Sequence, residues 1–163
     1  MSLKRIVITG LGALTPIGND VPTFWNALQA GVSGASPITR FDTENYQTKF
    51  ACELKGFEVS DFIDKKEAKK MDACAQYAFV AAMEALRDSG LDVEKTDLER
   101  VGCILGTGIG GFQSSYESVR VLVDNNDIPH FNPFFIPRVL SNLVSGYISL
   151  HYGFKGPNYV TSS

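Results

Sequence analysis

Two short apolar runs in this chain each empty into a glycine-rich turn and then into a helical pattern, and this unit constrains the fold more than any other feature. The first run, Ile6-Val7-Ile8 within Arg5 to Thr9, is continuous and β-branched and predicts a buried strand. Gly10-Leu11-Gly12 then opens a loop through Thr15-Pro16-Ile17-Gly18. Asn19 and Asp20 supply cap chemistry for a helix entered at Pro22, which carries Phe24, Trp25 and Leu28 and ends near Gly31. The second run, Val101 to Leu105, empties into Gly106-Thr107-Gly108-Ile109-Gly110-Gly111, and a helix follows through Tyr116, Val119 and Val123. Strands alternating with helices predict an α/β architecture.

Between these units the pattern is less regular. Residues 32–64 hold only short strand candidates, such as Phe50 to Leu54. From Lys66 to Ser89 the spacing of Met71, Cys74, Ala75, Ala78, Phe79, Ala82 and Leu86 predicts one long helix, stopped by Gly90. Its many alanines imply close approach to a neighbour. The prolines of Phe131-Asn132-Pro133-Phe134-Phe135-Ile136-Pro137 predict an extended segment. A helix is expected from Arg138 to about Tyr152, closed by Gly153. Gly156-Pro157 then turns the chain into Tyr159-Val160-Thr161, which has strand chemistry and stops short. The chain is expected to be truncated inside an element, with part of the protein's chemistry on residues beyond it.

The length of 163 residues suits one domain with a core. A net charge of −3 argues against non-specific nucleic-acid binding. No apolar run reaches the length of a membrane span, and the N-terminal run is too short for a signal-peptide core. The three cysteines, Cys52, Cys74 and Cys103, are widely spaced and form no CxxC pair. That fits reduced cytoplasmic thiols and neither a disulfide framework nor a zinc site. Cys74 and Cys103 read as small packing residues.

The glycine turns invite a nucleotide-binding reading. The first fails, because Thr15 stands where the third glycine belongs. The second matches G-x-G-x-x-G in letters, but no Walker lysine follows, and Asp124 and Asp127 lie in a polar stretch rather than at a strand end. A tight turn that brings backbone close to another element or a ligand is the favoured reading. His130 precedes an aromatic segment, and His151 lies on a helix where a surface or packing role is favoured; neither shows triad spacing. Lys65, Lys66, Lys69 and Lys70 cluster at the start of the long predicted helix. Such a run is commonly a solvated face, yet cations oppose the dipole at a helix N-terminus and so hint at an anionic partner.

Taken in order, several segments resemble one family, the β-ketoacyl-acyl-carrier-protein synthases. They are Arg5-Ile6-Val7-Ile8-Thr9-Gly10-Leu11-Gly12 with Thr15-Pro16-Ile17-Gly18, then Phe24-Trp25, Leu28, Gly31 and Ser33-Gly34, then Ile38-Thr39-Arg40-Phe41-Asp42. Lys69-Lys70-Met71-Asp72, the Gly106–Gly111 loop, Pro133-Phe134-Phe135-Ile136-Pro137 and Gly156-Pro157-Asn158 continue the series. The match is collinear over the whole chain and looks closest to the elongating synthase II type of bacterial fatty-acid synthesis.

The resemblance implies a thiolase-like layered α/β fold, of which residues 1–163 supply the N-terminal portion, in a protein that dimerises at full length. It implies decarboxylative Claisen condensation of an acyl thioester with malonyl-acyl-carrier protein, with acyl carrier protein and the acyl and malonyl thioesters as partners and no metal or redox cofactor. The family's nucleophilic cysteine would follow just after Ser163 and its two histidines later, so no catalytic residue is assigned among those present and the chain alone is expected to be inactive. The residue matching Ile109 gates the acyl pocket, Gly108 and Gly110 let the backbone pass close to the chain, and Phe134 and Phe135 help line the pocket. Lys66, Lys69 and Lys70 match the surface that docks the acidic carrier protein. Relatives can carry further basic residues before the Pro-Phe-Phe segment, where this chain has Asp127, Ile128, Pro129 and His130. The competing reading is a non-catalytic chain-length partner subunit of the same fold. A nucleotide-binding module would instead need phosphate at the helix after Gly111.

Overall fold

Asp20 starts the first helix, α1 (Val21–Gln29), in the computed structural model, which describes residues 4–126, 128 and 131–162. Its Oδ1 accepts from the Thr23 N–H at 2.7 Å, satisfying a donor the helix leaves orphaned, and Pro22 sits in the first turn where its missing N–H costs nothing. The strand predicted over Arg5–Thr9 does not form. Ile6 is 94% and Ile8 83% exposed, and no described strand lies beside them to take up their backbone groups. The chain beyond is held by carboxylates instead. The Leu11 N–H donates to Asp88 at 2.9 Å, and the N–H groups of Ala13 and Val21 both donate to Glu84 at 2.8 Å. The Phe50–Leu54 candidate shrinks to two residues, β2 (Phe50–Ala51), paired antiparallel with β1 (Ser36–Pro37). These features belong to one of two units in the chain, which runs to Glu58 and takes in Met83–Gly90.

The other unit comprises Val59–Ala82 and Leu91 onward. The single long helix of the sequence reading is two helices, α2 (Lys65–Ala68), in this unit, and α3 (Ala73–Ser89), whose residues to Ala82 belong to this unit and the rest to the first. The break has a local cause. The Lys70 and Met71 N–H groups bond back only three residues, to Glu67 and Ala68, which tightens the chain into a turn. Asp72 then behaves as a cap: its Oδ1 accepts from the Cys74 N–H at 3.1 Å and its carbonyl accepts from Gln76 at 3.1 Å.

The second strand lies two residues later than Val101–Leu105 suggests. It is β3 (Cys103–Thr107), parallel to β4 (Asn158–Ser162), with Gly106 opposite Thr161 and Thr107 opposite Ser162. Gly102 stays outside because its backbone is pressed against Pro157, where an added Cβ would lie 2.7 Å from the Pro157 carbonyl. Helix α4 (Phe112–Asp124) forms as expected.

The Pro-Phe-Phe-Ile-Pro segment is not extended. Asn132 nucleates a turn, its Oδ1 accepting from Phe134 and its carbonyl from Phe135, both at 2.8 Å, and a short helix α5 (Phe135–Val139) follows. Pro137 fits there because it stands in the first turn, where no intrahelical partner is lost. The helix expected over Arg138–Tyr152 is interrupted at Leu140, whose ψ of 116° is extended, and resumes as α6 (Leu143–Tyr152). The bend lays Ser141 against Gly110. Gly153 closes α6 at φ +74°, as its position in the sequence predicts.

Met71, Ala75, Phe79 and Val80 are buried in this unit, as are Cys103, Val144 and Ile148. A polar tie joins β4 to α6: the Ser145 hydroxyl donates to Asn158 Oδ1 at 2.6 Å, and Asn158 Nδ2 donates to the Ser145 carbonyl at 3.1 Å and to Ser149 Oγ at 2.6 Å. His130, Asp127 and Ser163, which the sequence reading singles out, lie outside the described residues.

Candidate functional site

Because β3 and β4 are parallel, both leave the sheet at the same edge. Ligands of open α/β sheets bind at such carboxyl ends. The glycine-rich loop emerges there from β3. The Gly110 N–H donates to Thr107 Oγ1 at 3.2 Å, closing the loop on itself, and Gly110 takes φ +83°, a region open to glycine and costly for other residues. Gly111 is buried, with no room for a Cβ against the Arg138 carbonyl. The close backbone approach expected from this loop is therefore real at Gly110 and Gly111, and the neighbour is the α5 segment. Gly108 differs: a Cβ there would meet nothing within 4 Å.

At the loop's tip the Ile109 side chain is 74% exposed. Phe134 is 38% exposed and Phe135 half-buried, its ring 5.5 Å from that of Phe131. Since Gly110 and Gly111 rest on Ser141 and Arg138, the loop and the segment bearing these rings share one neighbourhood. A cleft of about 540 Å³ opens beside it between α4 and α5, lined by Ser114, Val121, Phe131 and Arg138 among others.

The lysines stand elsewhere than predicted. Lys66 is on the one-turn α2, and Lys69 and Lys70 are in the turn after it, so the argument from the dipole of a long helix does not apply. Asp64 caps α2, its Oδ1 accepting from the Lys66 N–H at 2.7 Å. Lys70 Nζ reaches Glu67 at 2.6 Å and is partly neutralised; Lys66 and Lys69 are exposed and form no ion pair with another described residue. The Lys70 carbonyl accepts from the Tyr147 hydroxyl at 2.8 Å, which pins the turn to α6.

Neither Cys74 nor Cys103 is set up as a nucleophile. Burial, and then the Asp72 carboxylate, push the Cys74 thiol up to about 11. Burial raises Cys103 as well, and Cys52 is exposed at the surface of the other unit. His151 packs edge-on against Phe79, with ring centroids 5.0 Å apart, in line with its expected packing role. No cluster of metal-ligating side chains occurs among the described residues. No helix of the described chain is long and apolar enough to cross a membrane.

The nucleotide reading loses its anion site. The Ser114 N–H in the first turn of α4, where a phosphate would sit, already donates to Asp72 Oδ2 at 2.9 Å. Asp124 pairs with Arg120 at 3.6 Å. Asp72 and Ser114 are the residues to which sequence reasoning gave no role. The available signal was Asp72 itself, an acid directly before an alanine-rich helical run, which is a cap position.

The family model described as "Beta-ketoacyl synthase, N-terminal domain" matches residues 3–163. A 3-oxoacyl-[acyl-carrier-protein] synthase 2 of Staphylococcus aureus (strain COL) is 46% identical over 158 residues, covering 97% of this chain and 38% of the relative's length. The chain thus spans well under half of that relative. Among solved structures, the ishigamide ketosynthase/chain length factor superposes with a TM-score of 0.86 at 30% identity, over 96% of this chain and 39% of its own. A type II PKS acyl-carrier protein in complex with its ketosynthase bound to the hexaketide matches with a TM-score of 0.75 at 30% identity, over 99% and 41%. The fold is accordingly that of the thiolase-like ketosynthases, as the resemblance implies.

Proposed function

The chain belongs to the β-ketoacyl synthase family through its N-terminal domain, and from that premise we propose that the whole protein elongates fatty-acyl chains by decarboxylative Claisen condensation. A cysteine thiolate attacks the acyl thioester, forming acyl-enzyme and releasing the carrier thiol. Malonyl-acyl-carrier protein then loses carbon dioxide. The resulting carbanion attacks the acyl-enzyme carbonyl, a carbon–carbon bond forms, and the thiolate leaves. Residues 1–163 are the N-terminal portion of the condensing domain and contribute binding, not the nucleophile.

The observation that carries this reading is the parallel pair. The resemblance puts the nucleophile directly after β4, and the register sets the carboxyl end of β4 beside that of β3. A nucleophile there would face the loop of Gly108, Ile109 and Gly110. Ile109 is read as the gate of the acyl pocket, and Phe134 and Phe135 as part of its wall. Lys66 and Lys69, with Lys70 in a lesser part, attract the acidic carrier protein. The protein acts as a cytoplasmic homodimer.

A second reading, the non-catalytic chain-length partner, draws support from the description of the ishigamide structure, which joins both subunit types. The 46% identity to a synthase 2, against 30% there, favours the enzyme. Incubating the whole protein with acyl- and malonyl-carrier protein separates the two. The enzyme releases carbon dioxide and makes a 3-oxoacyl thioester, whereas the partner subunit alone makes neither.

A further inference from the structure

One buried carboxylate caps two helices. Asp72 is 3% exposed. Its Oδ1 serves the first turn of α3 through the Cys74 N–H at 3.1 Å. Its Oδ2 serves the first turn of α4, accepting from the Ser114 N–H at 2.9 Å and from the Ser114 hydroxyl at 2.6 Å. Helix α4 has no side-chain cap of its own, because the residue before it is Gly111. A carboxylate at two helix N-termini meets two sets of orphan donors and both positive dipole ends.

What lies on either side of this tie gives it meaning. Immediately before Asp72 is the turn of Lys69 and Lys70, held by the Tyr147 hydroxyl at 2.8 Å and by Gln76 Nε2, which donates to the Ala68 carbonyl at 2.9 Å. Immediately before α4 is the loop of Ile109, closed by the Gly110–Thr107 bond. Ser114 stands in the first turn of α4, with only Phe112 and Gln113 between it and that loop.

From this geometry we infer that Asp72 is a positioning residue for acyl-chain selectivity. Through Ser114 it fixes the start of α4, and with it the loop bearing Ile109, to the turn bearing Lys69 and Lys70. The inference rests on the reading of Ile109 as the residue that meets the acyl chain. It makes carrier docking and chain admission depend on one carboxylate.

The test is run on the whole protein, measuring kcat/KM for a long and a short acyl donor on carrier protein, with thermal melting as the check on folding. Asp72→Asn keeps the size but replaces one acceptor oxygen by a donor. Ser114→Ala removes only the hydroxyl and keeps the N–H bond, so it retains the fold more readily. Asp72→Asn is expected to shrink the discrimination between the two donors about fivefold or more, and Ser114→Ala by less. Ile109→Ala shrinks it too, and the double variant Asp72→Asn/Ile109→Ala shrinks it no further, because both changes act through one loop. A shift in Ser114→Ala alone supports the inference should Asp72→Asn not fold. If both tie variants lose equally on long and short donors while Ile109→Ala still alters selectivity, the inference is overturned and the gate reading survives. Additive effects in the double variant overturn it as well. If Ile109→Ala leaves selectivity untouched, the gate reading falls and takes the inference with it.

Discussion

At the scale of single residues, Asp72 makes stability depend on pH in a definite direction. Burial alone would raise its carboxyl, but hydrogen bonds from Ser114 and Cys74 outweigh that and hold it below its ordinary value. A depressed folded-state pKa contributes stability above the unfolded value, about 3.9, and that contribution is lost as pH falls through the folded one. Urea melts of wild type and Asp72→Asn should therefore converge as the pH drops below about 4. Curves that stay parallel throughout would show that ionisation of Asp72 does not matter. Ile109 offers a second handle. If it gates an apolar tunnel, Ile109→Phe overpacks that space at a cost of about 1–3 kcal/mol and should slow acylation by long donors more than by short ones. Equal slowing would assign Ile109 to packing.

At the scale of elements, the glycine loop and the lysine turn can be probed separately. Gly110→Ala forces a side chain into φ +83° and within 3.0 Å of the Ser141 side chain. It should cost about 1–2 kcal/mol in a denaturant melt, while Gly108→Ala, with open space around it, costs less. Equal losses would mean that Gly110 does not rest on Ser141. For the turn, Lys66→Glu/Lys69→Glu should slow association with carrier protein more than Lys70→Glu does, since Glu67 already pairs with Lys70 at 2.6 Å. The wild-type rate should fall as salt rises, and a small thioester surrogate should react at an unchanged rate. Stopped-flow association at several salt concentrations tells them apart, and a wild-type rate in the double variant would make the lysines a solvated face. Elements were legible where a local signal decides them. Asp20 with Pro22 fixed α1, and Gly153 fixed the end of α6. The break at Asp72 left one local sign, an acid at a cap position before an alanine-rich run, which helical periodicity overrode; the break at Leu140 left none, because the segment there is laid against Gly110 across the fold. Helical periodicity runs straight through both.

At the scale of the whole molecule, the resemblance read from ordered motifs led to the correct family, and the α/β class followed from alternation alone. The proposed site was named residue by residue from ordered motifs, but the sheet edge at which the glycine loop emerges was not legible, because strand order is a long-range property. The 163-residue chain by itself should show no carbon–carbon bond formation from acyl- and malonyl-carrier protein, given that the resemblance matches none of its cysteines to the nucleophile and that burial raises the Cys74 and Cys103 thiols. Product formation by the pure chain would refute this. The parallel pair also bears on how the protein folds. Cys103 meets Asn158 only after the whole α4–α6 crossover has been made, so β3 must wait, unpaired along this edge, while the intervening chain closes. Such non-local closure is slow, and a waiting strand edge is a template for wrong partners. Asn158, which ties the first position of β4 to Ser145 and Ser149 on α6, is therefore expected to act in time as well as in space, holding the late strand against that helix when it arrives.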